Sequence, residues 1–143
     1  MARQLVSFVV LSVALATGTA YAQECLHGAT ENAAQAARRR DALTATRQIN
    51  NLEANQPGAV KGIYLRREEL AGSPYASKMR ESTDETIKRI SLAPGTEILP
   101  NWQLTLDVSQ KGYWFMIKDK ADPCGFAFIS NQAGLIFRAE PIK

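Results

Sequence analysis

Cys25, His27 and Cys124 are the chain's only thiols and its only imidazole, so nucleophilic or soft-metal chemistry would have to run through them. Cys25-x-His27 has the spacing of a metal-ligand pair, but two ligands fall short of the three or four a zinc site uses. A Cys124 nucleophile with His27 as base would need a third residue to orient the imidazole, and the sequence offers none. A Ser–His–Asp arrangement would have to borrow the same His27, which stands just ahead of the first helix. Glu97, Asp107, Asp119 and Asp122 are scattered and read as solvated acids rather than a two-carboxylate site. There is no Gly-x-Gly-x-x-Gly or phosphate loop. These residues point to no catalytic centre, no metal and no cofactor.

The two cysteines are better read as a pair. Residues 1–22 have the zones of a secretory signal peptide. Arg3 supplies the positive start, Leu5 to Ala16 the apolar run, and Ala20-Tyr21-Ala22 the small residues of a cleavage site. The apolar run is shorter than the ~20 residues that span a bilayer. Gln23 and Glu24 precede Cys25 where a lipidated cysteine would need small residues. Cleavage after Ala22 leaves residues 23–143 as a single domain with no membrane span, exported to the periplasm or beyond. In that oxidising compartment, Cys25 and Cys124 are expected to form a disulfide.

Arg38-Arg39-Arg40 is the densest run of charge. Successive helical residues lie about 100° apart, so the three fan around the rod, and Glu31 and Asp41 stand nearby. The chain carries a formal charge of only +3 over 143 residues. A solvated face is the expectation, with the triplet as the candidate polyanion contact and nucleic acid not the expected partner.

The apolar content of 45% supplies a core. Thr30 to Asn55 is rich in helix formers, and Ala42, Ala45, Ile49 and Leu52 make one narrow apolar stripe, ended by Pro57-Gly58. Residues 59–100 read as an irregular connector. It has a helical turn over Leu65–Leu70, a break at Gly72-Ser73-Pro74, and a brief helix capped by Ser82 or Thr83. From Trp102 the period becomes two. Strands are expected over Trp102–Val108, Tyr113–Lys118, Gly125–Ser130 and Gly134–Glu140. Helix followed by strands predicts an α+β fold, one long helix packed on a four-stranded antiparallel meander.

The stretch Asp41-Ala42-Leu43-Thr44-Ala45-Thr46-Arg47-Gln48-Ile49-Asn50 is similar to the helical segment of type IV pilin and pseudopilin heads. Glu69-Leu70-Ala71-Gly72-Ser73-Pro74 looks like their loop. Gly112-Tyr113-Trp114-Phe115 and Phe128 to Ile136 resemble their last hairpins. The resemblance covers residues 35–140 and implies a pilin-head-like fold with a structural or assembly role. The sequence departs from that family at its start. It has no prepilin processing site, and the hydrophobic segment lacks a Glu near its beginning and ends in Ala-x-Ala.

One helix covers one face of a four-stranded sheet, and the strands are apolar on both faces. Either residues 59–100 fold over the second face, or Trp114, Met116, Ile129 and Ile136 form a patch for a protein partner or for self-association. The functional expectation is a non-enzymatic domain acting through protein–protein contacts. The alternative is a periplasmic binding or inhibitor module engaging one partner through the exposed sheet face.

Overall fold

A computed structural model describes residues 24–140; the expected signal peptide and cleavage site at Ala22 lie outside them. The protein is α+β, with a long helix and a four-stranded antiparallel sheet. Helix α1 runs over Ala33–Asn55, about 35 Å of rod. Asn32 starts it with a capping box: its side chain accepts from Gln35 N, while the Gln35 side chain accepts from Asn32 N. All four residues of the expected stripe, Ala42, Ala45, Ile49 and Leu52, are buried. The small alanines let the rod lie close to the sheet.

The connector is more ordered than its composition suggests. A 3-10 turn at Ala59–Lys61 precedes three short helices, α2 (Arg67–Ala71), α3 (Pro74–Arg80) and α4 (Glu85–Arg89). Gly72-Ser73-Pro74 breaks one helix and starts the next, with Ser73 as N-cap and Pro74 in the first turn. The cap of α4 is Asp84, whose carboxylate accepts from Thr86 N and Ile87 N. Ser82, an expected cap, instead accepts from Asp84 N and so positions the residue that caps.

Strands β1 (Trp102–Ser109), β2 (Gly112–Asp119), β3 (Ala127–Asn131) and β4 (Ile136–Ala139) pair in chain order. Gly112 closes the first hairpin at φ 149°, and a Cβ there would come within 2.6 Å of the Gln132 side chain. Cross-strand partners share a face, so the register sorts the aromatic residues. Trp102, Leu104, Tyr113, Phe115, Ile117 and Phe128 point inward and are buried. Their neighbours Gln103, Thr105, Trp114, Met116 and Ile129 point outward.

Helix α1 packs on β3, and the connector packs beside it on the same inner face. Leu70, Ala76, Met79, Ile90, Leu92, Ile98 and Leu99 join one core with the α1 stripe and the inner sheet residues. Arg67 fastens this arrangement. Its guanidinium donates to the carbonyls of Leu92, Thr96 and Leu104, the last on edge strand β1. Burial pushes the Arg67 pKa down from its ordinary value, against the nearby Glu68 charge. Residues 59–100 therefore do not fold over the second face: the connector and α1 share one side, and on the other side Gln103, Thr105, Asp107, Trp114, Lys118 and Phe137 are exposed, Met116 and Ile129 are half-buried and Ala127 is buried.

Candidate interaction surface and the polar anchor behind it

The open face is laid out by the register. Thr105, Met116, Ile129 and Phe137 are successive cross-strand partners and form one row across all four strands. On one side of that row stand Asp107, Trp114 and Asn131; on the other stand Gln103, Lys118, Ala127 and Ala139. Trp114 is 43% exposed and Phe137 53%, both high for aromatic side chains on a sheet. The Trp114 indole Nε1 donates to Asp107 Oδ2 at 3.2 Å, which holds the ring over the β1–β2 pair.

The structure brings together three of the four residues expected here, Trp114, Met116 and Ile129. Ile136 is not among them. It pairs with Ser130 and packs against the core, and Phe137 takes its place on the outer row. The five residues from Asn131 to Leu135 set this parity, and a one-residue difference in register would reverse every side chain of β4. Alternation within β4 was visible in sequence; its phase relative to β3 was not.

Cys25, His27 and Cys124 build a structural anchor, with the two cysteines in the expected disulfide. Cys25 and Cys124 form a disulfide with Cα atoms 5.2 Å apart. Beside it, Asp122 accepts from the backbone N–H groups of Leu26, Cys124 and Phe126. Burial pushes its carboxyl up, but these donors and the neighbouring His27 hold it below the ordinary range. His27 is wedged between two acids. Its Nδ1 lies 2.8 Å from Glu31 Oε1 and its Nε2 lies 2.8 Å from Asp119 Oδ2. The imidazole also packs on Phe126 and Trp102, with ring centroids 4.6 and 5.6 Å away. Its side chain is fully buried and both ring nitrogens are engaged, so it presents no nitrogen to a substrate.

Two of the three consecutive arginines belong to this anchor. Arg38 Nη2 donates to both Asp119 oxygens at 3.0 Å, and Arg39 makes a forked contact with Glu31. The Arg39 hydrogen bonds, opposed by burial and aided by His27, draw the Glu31 carboxyl down to about 2. Arg40 alone of the triplet is exposed to solvent. The triplet is therefore no concentrated polyanion site, because two of its charges are spent on buried carboxylates. Of the other acids, Asp119 and Asp122 are buried, and Glu97 pairs with Lys120. Solvated acids were expected in all four places; the chain closes over two of them because α1 and the Cys25 strap converge there.

A second polar feature lies on the buried side of α1. Along α1, Thr46, Asn50 and Glu53 are buried beside the apolar stripe. Asn50 exchanges hydrogen bonds with Ser130 and accepts from the Tyr113 hydroxyl. Glu53 Oε2 accepts from Leu65 N, while Oε1 has no partner. Burial raises the Glu53 carboxyl to about 7, against the Leu65 hydrogen bond and helped by the charge of Glu69. Burial likewise lifts the Tyr113 hydroxyl to about 12, aided by the Glu53 charge. The i, i+4, i+7 spacing of Thr46, Asn50 and Glu53 was the available signal. It was obscured because polar residues at helical spacing ordinarily mark the wet side of a rod.

A cleft of about 520 Å³ lies against the end of α1, lined by Leu52, Leu65, Tyr75 and Pro57, with Lys78 as its charged residue. It gathers no acid–base pair. Among the described residues, no helix is long and apolar enough to cross a membrane. No family model, curated protein or solved structure matches the chain.

Proposed function

We propose that the chain is an exported, non-enzymatic domain whose outer sheet face makes protein–protein contacts, in a structural or assembly role like that of a pilin or pseudopilin head. The observation that carries this reading is the outer sheet face with Trp114 and Phe137 half exposed on it. Large aromatic residues grouped on an open face are the usual composition of a contact surface and an uncommon one for bare solvent. Export is supported by the leader-like start and by the disulfide, which persists in oxidising compartments. The non-enzymatic part is supported by the burial of His27 between two carboxylates and the pairing of both cysteines.

The test is a photo-crosslinking residue placed at Phe137 or, as a control, at exposed Arg40, in cells that export the protein. The expected result is a discrete adduct from position 137 and none from position 40. Absence of any adduct from position 137 in correctly exported, oxidised protein overturns the reading.

A further inference from the structure

We propose that the occupant of the outer face is a second copy of this chain, docked sheet to sheet about a two-fold axis along the Thr105–Met116–Ile129–Phe137 row. This rests on the reading of that face as an interaction surface. The argument is one of charge placement. The strands present one cation and one anion outward, Lys118 and Asp107, in the rows flanking the apolar row on opposite sides. Both are exposed, and neither is ion-paired among the described residues. A partner of single sign would meet one attraction and one repulsion. A partner carrying the same pattern reversed end to end would meet two attractions.

A two-fold axis along the central row supplies that pattern. It exchanges the two flanking rows while each strand faces its own copy, so residue i meets j and j meets i. Lys118 of one copy then lands on Trp114 of the other. The ammonium sits over the indole face, a cation–π arrangement. Asp107 is the cross-strand neighbour of Trp114 and already accepts from its Nε1, so the same ammonium reaches a carboxylate. Symmetry makes the contact twice. Between the two pairs, Met116, Ile129 and Phe137 stack on their own copies, an apolar centre inside a charged rim. Sheets pack face to face at about 10 Å with strands within about 30°, so these side chains can interdigitate. Edge pairing through β1 is disfavoured because Arg67 already takes the Leu104 carbonyl.

Sedimentation velocity over a concentration series on the full exported, oxidised chain tests this. Wild type is expected to dimerise. Asp107→Lys and Lys118→Asp should each weaken dimerisation roughly tenfold or more, because each replaces two attractions with two repulsions. Mixing the two variants should restore a dimer, since a heterodimer of the two again has two opposite-charge contacts. Single reversals that dimerise as tightly as wild type, or a mixture that stays monomeric while wild type dimerises, overturn the two-fold arrangement. A wild-type chain that is monomeric throughout overturns self-pairing but leaves the face itself to the Phe137 crosslink. Unchanged dimerisation in both Trp114→Ser and Phe137→Ser overturns the use of this face for self-association.

Discussion

Glu53→Gln isolates a single buried carboxyl whose ionisation works against the fold. Glu53 is fully buried, and one of its oxygens has no hydrogen-bond partner. Its carboxyl titrates at about 7 in the folded chain against an ordinary 4.5. Each pH unit of such a displacement is worth about 1.4 kcal/mol, which makes about 3 kcal/mol in all. The sign follows from proton counting. Between the two values the folded state holds a proton that the unfolded state has released, so stability falls as pH rises through this window. Below about pH 4.5 both states are protonated and the carboxyl costs nothing; above about pH 7 the full cost is present. The glutamine keeps the shape and the oxygen that accepts from Leu65 N, and does not titrate. Urea unfolding of both proteins at closely spaced pH values from about 4 to 8.5 gives the difference directly, and all other titrating groups cancel in it. The variant should gain about 3 kcal/mol relative to wild type across that range, whatever constant offset the amide introduces. Parallel stability curves for the two proteins would refute the reasoning.

Five other outcomes follow from the same geometry. Trp114→Ser should change unfolding stability by less than about 1 kcal/mol, while the adjacent Phe115→Ala costs about 3–5, because only Phe115 faces the core; equal losses in denaturant titration would contradict the two-faced sheet. Asp119→Ala leaves His27 and Arg38 without their shared carboxylate and should cost about 3–5 kcal/mol, so a loss below about 1 would mean that the anchor does not hold the strap. Reducing the Cys25–Cys124 bond, which closes a 99-residue separation, should cost about 4–5 kcal/mol in the chain-entropy account. Thiol labelling of denatured, unreduced protein should find no free thiol. Glu31, held at about 2 in the folded chain, contributes stability that is present above its ordinary 4.5 and lost as pH falls toward 2, so Glu31→Gln should flatten the acid limb of the stability curve.

Much of the architecture is legible in local pattern. Alternation from Trp102 marks β1 because a half-buried strand has a period of two, and Ala42, Ala45, Ile49 and Leu52 mark the buried side of α1 because a helix has a period of 3.6. The short helices α3 and α4 carry competing local signals. Gly72-Ser73-Pro74 carries both a stop and a start signal, and Asp84 competes with Ser82 and Thr83 for the cap. The candidate surface was legible as a set of outward residues on β2 and β3, but not as to which side the connector would take.

The sequence by itself determined the class of fold, the two extents of periodic structure and the partnership of Cys25 with Cys124, since each depends on residue spacing or on an even thiol count. Tertiary structure alone decided what burial does to charge. Asp119 and Glu53 look like surface acids in the chain, yet one is enclosed by His27 and Arg38 and the other is left with an unpartnered oxygen. It also decided which face is open. Ile136 and Phe137 are equally apolar neighbours, and the length of the β3–β4 connection sends one to the core and the other to solvent. Pairing across strands and packing across layers are set by contacts far apart in the chain, and a local period fixes the alternation of faces but not which of them becomes the inside.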